Sequence, residues 1–475
     1  MDENNTKLTK HHIGEAFAGE LLSDALAALG LSFPMPCGGH GLCGKCKVLL
    51  EDGRTVRACS FTVPADGVDL LLPDRQSSPS SFDIPQNTGC PEKKSKLVLD
   101  LGTTTLELAA VLPDGELSSS VTALNPEGCY GADVLSRITA CENGKLDEMR
   151  GQLLKVITDM ILRIAPGGAE ELYVAGNPTM THIFCGISPS SIGRYPFTTA
   201  FDGTKRMTGA ELPLPVDSIT VLPAASAYIG SDITAGILAT GLPGMTGANI
   251  LSDLGTNGET VLSCEGRLIC ASSAAGPALE GAGISCGTGG VPGAVCKVTL
   301  ENGKTAYKTI DDAPASGLCG SGLCDLIAVY LETGLIDRTG RITSPSLPAI
   351  APGIALTQKD IRAFQLAQSA VCATVIALSD AAGIDLHDVS SVILAGGLGS
   401  RIDPVSAVKT GIFPASFGGK ISAAGNTALK GAAICASVPE RLVELEEIAK
   451  KCETIDLNSS EAFAKSFISS MIFPG

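Results

Sequence analysis

Four cysteines near the amino terminus, Cys37, Cys43, Cys46 and Cys59, are spaced to hold a metal cluster. They read C-x5-C-x2-C-x12-C, with the first three inside Cys37-Gly-Gly-His-Gly-Leu-Cys43-Gly-Lys-Cys46. Three thiolates from one tight turn and a fourth from a later segment form the ligand pattern of a plant-type 2Fe–2S loop. Gly38, Gly39, Gly41 and Gly44 let the backbone wrap closely, because glycine takes positive φ at no steric cost. A structural zinc site competes with this reading. Zinc cysteines usually come as two separate C-x2-C hairpins, however, and only one such pair is present. His40 is a solvent-facing bystander on this reading, since four cysteines already complete the set. Cys319 and Cys324 (C-x4-C) could suggest a second cluster, but their apolar setting favours buried, inert thiols.

A second chemistry is written twice. Lys96-Leu-Val-Leu-Asp100-Leu-Gly-Thr-Thr-Thr105 is echoed by Asn249-Ile-Leu-Ser-Asp253-Leu-Gly-Thr-Asn-Gly258, each an apolar strand, a turn and a further strand. A Walker loop places its glycines between a strand and a helix, so this is a different phosphate grip. In such hairpins Gly102, Thr103, Thr104 and Thr105, and then Gly255, Thr256, Asn257 and Gly258, would aim N–H and hydroxyl groups at a phosphate chain. Asp100 and Asp253, at the strand ends, would hold Mg²⁺ through water. Asn257 or Glu259 would orient the attacking water, which makes Asp100, Asp253, Asn257 and Glu259 the candidate catalytic set. A later echo pairs Leu172-Tyr-Val-Ala-Gly176-Asn177 with Val392-Ile-Leu-Ala-Gly396-Gly397. The turn Gly396-Gly397-Leu-Gly399 offers bare backbone to the flat face of a nucleoside.

The elements that position these residues follow from pattern. Residues 18–30 read as a short helix ending on Gly30, and Lys47–Leu50, Arg54–Val56 and Val68–Leu72 as strands that return Cys59 to the cluster. Ser- and Pro-rich sequence then predicts a linker. The duplicated strand–turn–strand units imply two similar α/β halves facing each other. Thr357-Gln-Lys-Asp360 predicts a capping box opening a helix to about Ala382, followed by a strand at Ser391–Leu394. Ser321–Glu332 is a further helix. The domains expected are 1–74 for the cluster, 75–95 for the linker, 96–235 for the first half and 236–475 for the second, with the last helix free to return to the first half.

Composition narrows the rest. The chain has 475 residues, 44% hydrophobic, and a net charge of −16 with no basic stripe, which argues against nucleic acid. Its 17 cysteines sit in a chain too large for a secreted disulfide scaffold, and no signal peptide precedes them. A reducing cytoplasm is expected. The charge-free stretch Ile233 to Ser252 is broken by Pro243 and four glycines, so no membrane span is expected there.

The two-half arrangement resembles the superfamily of actin, sugar kinases and heat-shock chaperone ATPases. The likeness sharpens at Asn125-Pro126, Tyr130-Gly-Ala-Asp-Val-Leu-Ser-Arg137-Ile, Gly176-Asn-Pro-Thr-Met-Thr-His182, Ala275-Gly-Pro-Ala-Leu-Glu-Gly281, Cys319-Gly-Ser-Gly322 and Gly425-Asn-Thr-Ala428. Together these resemble the ATP-dependent reductive activators of corrinoid enzymes, over almost all of residues 96–435. The resemblance implies an α/β fold of duplicated actin-like (ribonuclease-H-like) halves behind an amino-terminal β-grasp 2Fe–2S ferredoxin domain. It also implies ATP and Mg²⁺ as further cofactors, with Gly320 and Ser321 in the nucleotide set. The implied activity is one-electron reduction of Co(II) to Co(I) in a corrinoid protein of a methyltransferase system, driven by ATP. An external low-potential electron donor is implied as a second partner, and a homodimer is left open. The Ser272–Gly289 segment, around Glu280, is a candidate contact for the corrinoid partner, and ordinary interdomain packing is its alternative. Two departures stand out: only a linker separates the ferredoxin and ATPase parts, where many members carry an extra domain, and the Cys46–Cys59 interval is short. Rival readings are an ATP-driven donor to another low-potential enzyme, such as a 2-hydroxyacyl-CoA dehydratase-type partner, a small-molecule kinase of the same fold, and a scaffold in which ATP only sets conformation.

Overall fold

The computed structural model describes residues 8–29, 31, 46–73, 95–131, 133–255, 257–301 and 303–474. Cys37, His40, Cys43, Thr256 and nearly all of the expected linker lie outside the described residues.

The first unit packs β1 (Leu8–Ile13), α1 (Leu22–Ala28), β2 (Lys47–Leu50), β3 (Thr55–Arg57) and β4 (Val68–Pro73) into a four-stranded sheet of order β1-β4-β2-β3, every pair antiparallel. Ile13, Leu22, Leu26, Val48, Leu50 and Leu70 form its core. The helix starts at Leu22, not Ala18, because Glu15–Phe17 makes a separate 3-10 turn and Gly19 reverses the chain at φ +85°. β1 is a strand that the pattern Leu-Thr-Lys-His-His-Ile does not announce.

Residues 96–221 hold β5 (Lys96–Leu101), β6 (Thr105–Val111), β7 (Leu117–Leu124), α2 (Val134–Ala140), α3 (Leu146–Ile164), β8 (Ala169–Gly176), α4 (Pro178–Cys185), β9 (Lys205–Thr208) and β10 (Val216–Val221). The sheet order is β7-β6-β5-β8-β10-β9, with β5 parallel to β8 and antiparallel to β6. β5 is apolar from Leu97 to Leu99 because both its faces are covered there, and Asp100 follows at its cleft end. Leu97, Leu99 and Leu101 enter the core shared with α3, and Val98 enters the core on the other side.

After α5 (Ser231–Thr240) the pattern repeats with β11 (Ala248–Leu254), β12 (Gly258–Cys264) and β13 (Arg267–Ser273). A small sheet, β14 (Ala294–Glu301), β15 (Lys304–Thr309) and β16 (Gly317–Leu318), precedes α6 (Gly320–Glu332) and α7 (Gln358–Ala382). The chain ends with β17 (Val389–Ala395), α8 (Gly396–Gly399), α9 (Pro404–Lys409), β18 (Ile421–Gly425), α10 (Thr427–Ser437), α11 (Arg441–Lys451), β19 (Cys452–Thr454) and α12 (Glu461–Ser470). The second large sheet is ordered β18-β17-β11-β12-β13-β19. α7 opens on the Thr357–Asp360 capping box, in which both reciprocal bonds are present. It is long and apolar enough to cross a bilayer, yet 78% of its most apolar window is buried against protein.

α5 and α10 lie between the two large sheets. Val98 and Ala175 of the first sheet, Leu251 and Val261 of the second, and Ile233, Ile237, Leu429 and Ala432 of the helices share one core. The helices cross where Gly431 faces Ala235, so closely that a Cβ on Gly431 would overlap the Ala235 carbonyl. Two sequence expectations are corrected here. The division at 235/236 falls inside α5, because that helix belongs to both halves. The last helix does not return to the first half: α12 packs on α7, where Gln365 donates to the Met471 carbonyl at 2.6 Å and Gln368 to that of Ser470. The helix that does reach the first half is α10, which packs on β5 and β8 and has its last turn capped by Lys96 Nζ on the Ala436 carbonyl at 2.8 Å.

Candidate functional site

The β2–β3 hairpin explains how two distant cysteines meet. Gly53 takes φ +85° in the turn, Lys47 pairs with Arg57, and the Ala58 N–H donates to the Cys46 carbonyl at 2.8 Å. Cys46 therefore enters β2 just where Cys59 leaves β3 on the 3-10 turn Ala58–Ser60. Their Sγ atoms lie 3.1 Å apart, and both residues are buried. A disulfide would need about 2.05 Å. Two convergent thiols at one edge of the sheet are the donor chemistry that an iron–sulfur cluster requires, so the residues present fit the group.

The second site is the cleft between the repeated hairpins. Register pairs Asp100 with Glu107 across β5–β6 and Asp253 with Glu259 across β11–β12, so each hairpin carries two carboxylates side by side. Asp232, in the first turn of α5, adds a fifth. Burial drives Asp100 well above the usual carboxylate range, against the bond it accepts from Asn426, with the charges of Asp232, Asp253 and Glu107 adding to the rise. Burial, with the charges of Asp232 and Glu280, pushes Asp253 up to about 7. Asp232 rises to about 6 and Glu259 well above its normal range, again chiefly through burial. Such a set cannot stay fully ionised at neutral pH without a counter-cation. Its donors are all oxygens, which suits a hard cation. Among the described residues no three of these groups converge as the ligands of a bare metal ion.

The first candidate phosphate turn, residues 102–105, is held from behind. Asn125 Nδ2 donates to the Gly102 carbonyl at 2.8 Å, the Asn125 N–H to the Thr104 carbonyl at 2.9 Å, and the Arg137 guanidinium to the Thr103 carbonyl. Asn177 Nδ2 donates to Thr103 Oγ1 at 2.9 Å, which leaves that hydroxyl hydrogen free to point into the cleft. In the second hairpin, Gly255 lines the cleft, Gly258 begins β12, and the Asn257 side chain bonds Glu259. Ser272 Oγ also donates to Glu259, at 3.3 Å. Gly396 takes φ +80°, and a Cβ there would overlap the Asp253 carboxylate. Gly396, Gly397 and Gly399 form one helical turn, α8, and not an open loop.

Three residues that bear on the cleft are not signalled by the repeat. Asp232 follows Gly230, whose missing side chain lets the backbone lie against Asn177 and the Gly176 carbonyl. Asn426, the N-cap of α10, donates from Nδ2 to Asp100 at 2.8 Å and to Glu107 at 2.9 Å. Glu280 accepts from Thr104 Oγ1 at 3.4 Å and lies beside Gly255, so it spans both phosphate turns. The segment around Glu280, a candidate for the partner surface, thus faces the cleft. The sequence signal for Asp232 is an acidic residue opening a helix after glycine and serine; for Asn426 it is an Asn-Thr helix start. Ser321 does not face the cleft: it is buried and its hydroxyl donates to the Cys296 carbonyl at 2.8 Å. Gly320 is needed for packing, since a Cβ would overlap the Leu279 carbonyl. His182 is a packed core residue stacked on Phe201, with Nδ1 bonded to the Pro178 carbonyl at 2.6 Å. Cys319 and Cys324 are buried thiols.

Residues 9–69 match the 2Fe-2S iron-sulfur cluster binding domain family, residues 96–244 the RACo middle region, and residues 248–475 the C-terminal domain of RACo, the ASKHA domain. The chain is 27% identical to the corrinoid activation enzyme RamQ of Eubacterium limosum, over 95% of this chain and 96% of that one. It is 28% identical to a [Co(II) methylated amine-specific corrinoid protein] reductase of Methanosarcina barkeri, over 77% of this chain and 75% of that one. Among solved structures, the reductive activator for corrinoid, iron-sulfur protein superposes with a TM-score of 0.74 at 26% identity, covering 97% of this chain and 96% of the other.

Proposed function

We propose that this chain, which belongs to the ATP-dependent reductive activators of corrinoid enzymes, returns the cobalt of a corrinoid protein from Co(II) to Co(I) by one-electron transfer coupled to ATP hydrolysis. The observation that carries the reading is the joining, in one chain, of a buried thiol pair built for a cluster to a two-sided carboxylate cleft built for a nucleotide and its cation.

Cys37, Cys43, Cys46 and Cys59 would hold a 2Fe–2S cluster, whose chemistry would be single-electron transfer at about −400 mV, not reducing enough alone for Co(I). An external low-potential donor supplies each electron. The chain's own residues do the rest. Asn125, Arg137 and Asn177 hold the first phosphate turn so that Thr103 and its neighbours face the phosphates. Asp100 and Asp253 would hold Mg²⁺, and Asp232 and Glu259 complete the acidic wall. Glu259, paired with Asp253 across the β11–β12 hairpin, would orient the attacking water. Asn257 steadies Glu259. Closure of the halves over ATP, about α5 and α10, is the two-state element that hydrolysis resets. A kinase of the same fold, or a donor to a 2-hydroxyacyl-CoA dehydratase-type enzyme, is not favoured, since the relatives named above act on corrinoid proteins. The proposed setting is a reducing cytoplasm, in which the cysteines of a chain this large stay as thiols.

The test is anaerobic: the reconstituted chain, a chemical reductant, Mg²⁺·ATP and a Co(II) corrinoid protein should yield the Co(I) absorption band, and omission of ATP should abolish it. Equal Co(I) formation without nucleotide would overturn the reading.

A further inference from the structure

We propose that the turn from Asn125 to Tyr130 is the link through which occupancy of the nucleotide cleft is felt at the cluster ligands, an inference that rests on the reading above of cleft and cluster. One end of this turn touches the first phosphate turn, and the other is buried in the ferredoxin unit. Asn125 bonds the carbonyls of Gly102 and Thr104, at 2.8 Å and 2.9 Å. Cys129, only 8% exposed, belongs to the same apolar cluster as Cys46 and Cys59, and Tyr130 packs against that cluster. It is the one place in the described core where a residue of the ATPase part enters the ferredoxin core.

The connection between those ends is stiff. Pro126 fixes its own φ at the start of the 3-10 turn Pro126–Cys129. Asn125 Oδ1 accepts from the Glu127 N–H at 2.9 Å, the Gly128 N–H donates to the Asn125 carbonyl at 3.2 Å, and the Tyr130 N–H donates to the Glu127 carbonyl at 2.9 Å. The Cys129 thiol donates to the Pro126 carbonyl at 3.2 Å. Glu127 and Arg137, both fully buried, sit under the turn 3.4 Å apart, and Arg137 also reaches the Thr103 carbonyl. Tyr130 is pinned to α3 by its hydroxyl, which donates to Glu148 at 2.7 Å and accepts from Gln152 at 3.2 Å. A segment with this many bonds moves as a body. Phosphate bound by the front of the Gly102–Thr104 turn polarises and shifts the peptide groups whose carbonyls Asn125 and Arg137 hold from behind. That displacement is carried to Cys129 and so to the packing around Cys46 and Cys59. Asn125 touches the phosphate turn; Cys129 and Tyr130 are positioning residues.

Hydrogen exchange on the full chain tests this without relying on turnover. Saturating Mg²⁺·AMPPNP should slow exchange severalfold at amides 46–60 of the wild type, far from the cleft in sequence. Cys129→Asp, which places a charge in the ferredoxin core contact, should bind AMPPNP with the wild-type Kd by calorimetry and show no slowing at 46–60. The electron paramagnetic signal of the reduced cluster should shift with AMPPNP in the wild type and not in the variant. If circular dichroism shows Cys129→Asp to be unfolded, Asn125→Ala at saturating AMPPNP should give the same loss. Slowing that persists in a folded Cys129→Asp, or its absence in wild type that has bound AMPPNP, overturns the link while leaving corrinoid reduction standing. Failure of every chain to bind AMPPNP overturns the nucleotide reading and the link with it.

Discussion

Replacing Gly396 by alanine offers a sharp test of the cleft, because one atom is added against one carboxylate. Gly396 sits at φ +80° at the end of β17, with Asp253 opposite Ala395 in the parallel register. An L-residue in that conformation costs about 1–2 kcal/mol. The new Cβ would also overlap Asp253 Oδ1, well inside the 3.0 Å that real Cβ contacts respect. The carboxylate has to retreat by roughly 1 Å, and a misplacement of that size at a reacting centre costs about 10²-fold in rate. Gly396→Ala is therefore expected to lose about 1–3 kcal/mol in urea denaturation and about 10²-fold in phosphate release. Gly397→Ala is the control: it does not occupy the left-handed region and has nothing within 4 Å of its Cβ position. It should keep wild-type stability, which isolates the strain at position 396. Full ATP turnover in Gly396→Ala alongside the stability loss would refute the placement of Asp253 at the chemistry. Full stability would refute the geometry itself.

Other expectations follow from the same contacts. Asn125→Ala removes the side-chain bond to the Gly102 carbonyl and keeps the backbone bond to Thr104; at about 1 kcal/mol for the lost bond, KM for ATP should rise about fivefold, read by steady-state phosphate release. Gly431→Val should destabilise the chain in urea, despite glycine's poor helix propensity, because its Cβ would meet the Ala235 backbone. Thr357→Ala removes the hydroxyl half of the capping box, leaving the backbone N–H on the Asp360 carboxylate, and should cost about 0.5–2 kcal/mol, with faster exchange confined to the first turn of α7 and ATP turnover unchanged. The cleft acids give a pH signature in metal-free protein. Folding raises Asp253 to about 7 and Asp232 to about 6, so the folded state binds more protons than the unfolded one between the ordinary carboxylate range and those values. The stability they contribute is present at pH 4 and is lost as pH rises through 6 and 7. The Tm of the metal-free chain should thus fall over that window, and added Mg²⁺ should restore more of it at pH 8 than at pH 5; a flat profile in both conditions would contradict the arrangement.

The sequence made the duplicated hairpins legible because strand periodicity and an Asp-Leu-Gly-Thr turn leave a local trace. Asp100, Asp253 and the Thr357 cap fall where that trace indicates. What it concealed is assembled across long separations. Asn426 lies 326 residues from the Asp100 it bonds, and Asp232 reaches the cleft only because α5 is sandwiched between the sheets. Glycine and serine at 320–321 misled for a physical reason. A small residue marks close approach, and sequence does not say whether a ligand or another backbone approaches; here it is the Leu279 carbonyl. Likewise β1 is specified by its pairing with β4, not by its own weak alternation.

The repeat is symmetric in sequence but not in wiring, and the asymmetry says how the halves communicate. Both hairpins present a cross-strand carboxylate pair. Only the first pair, Asp100 and Glu107, is bridged by an amide, and that amide belongs to Asn426 at the start of α10, a helix entered from the second sheet. Conversely, Glu280 of the second half leans on Thr104 of the first. Each half therefore finishes the other's site, and neither can grip a nucleotide fully unless the two are in register. The crossing of α5 and α10 at Gly431, with no room for even a methyl group, fixes where they can pivot. A phosphate chain with its cation, by neutralising acids that burial and mutual repulsion leave strained toward protonation, favours the closed register over the open one. Because Asn125 and Arg137 hold that same turn from behind, the register is not confined to the cleft, and the ferredoxin core lies at the far end of the turn they belong to.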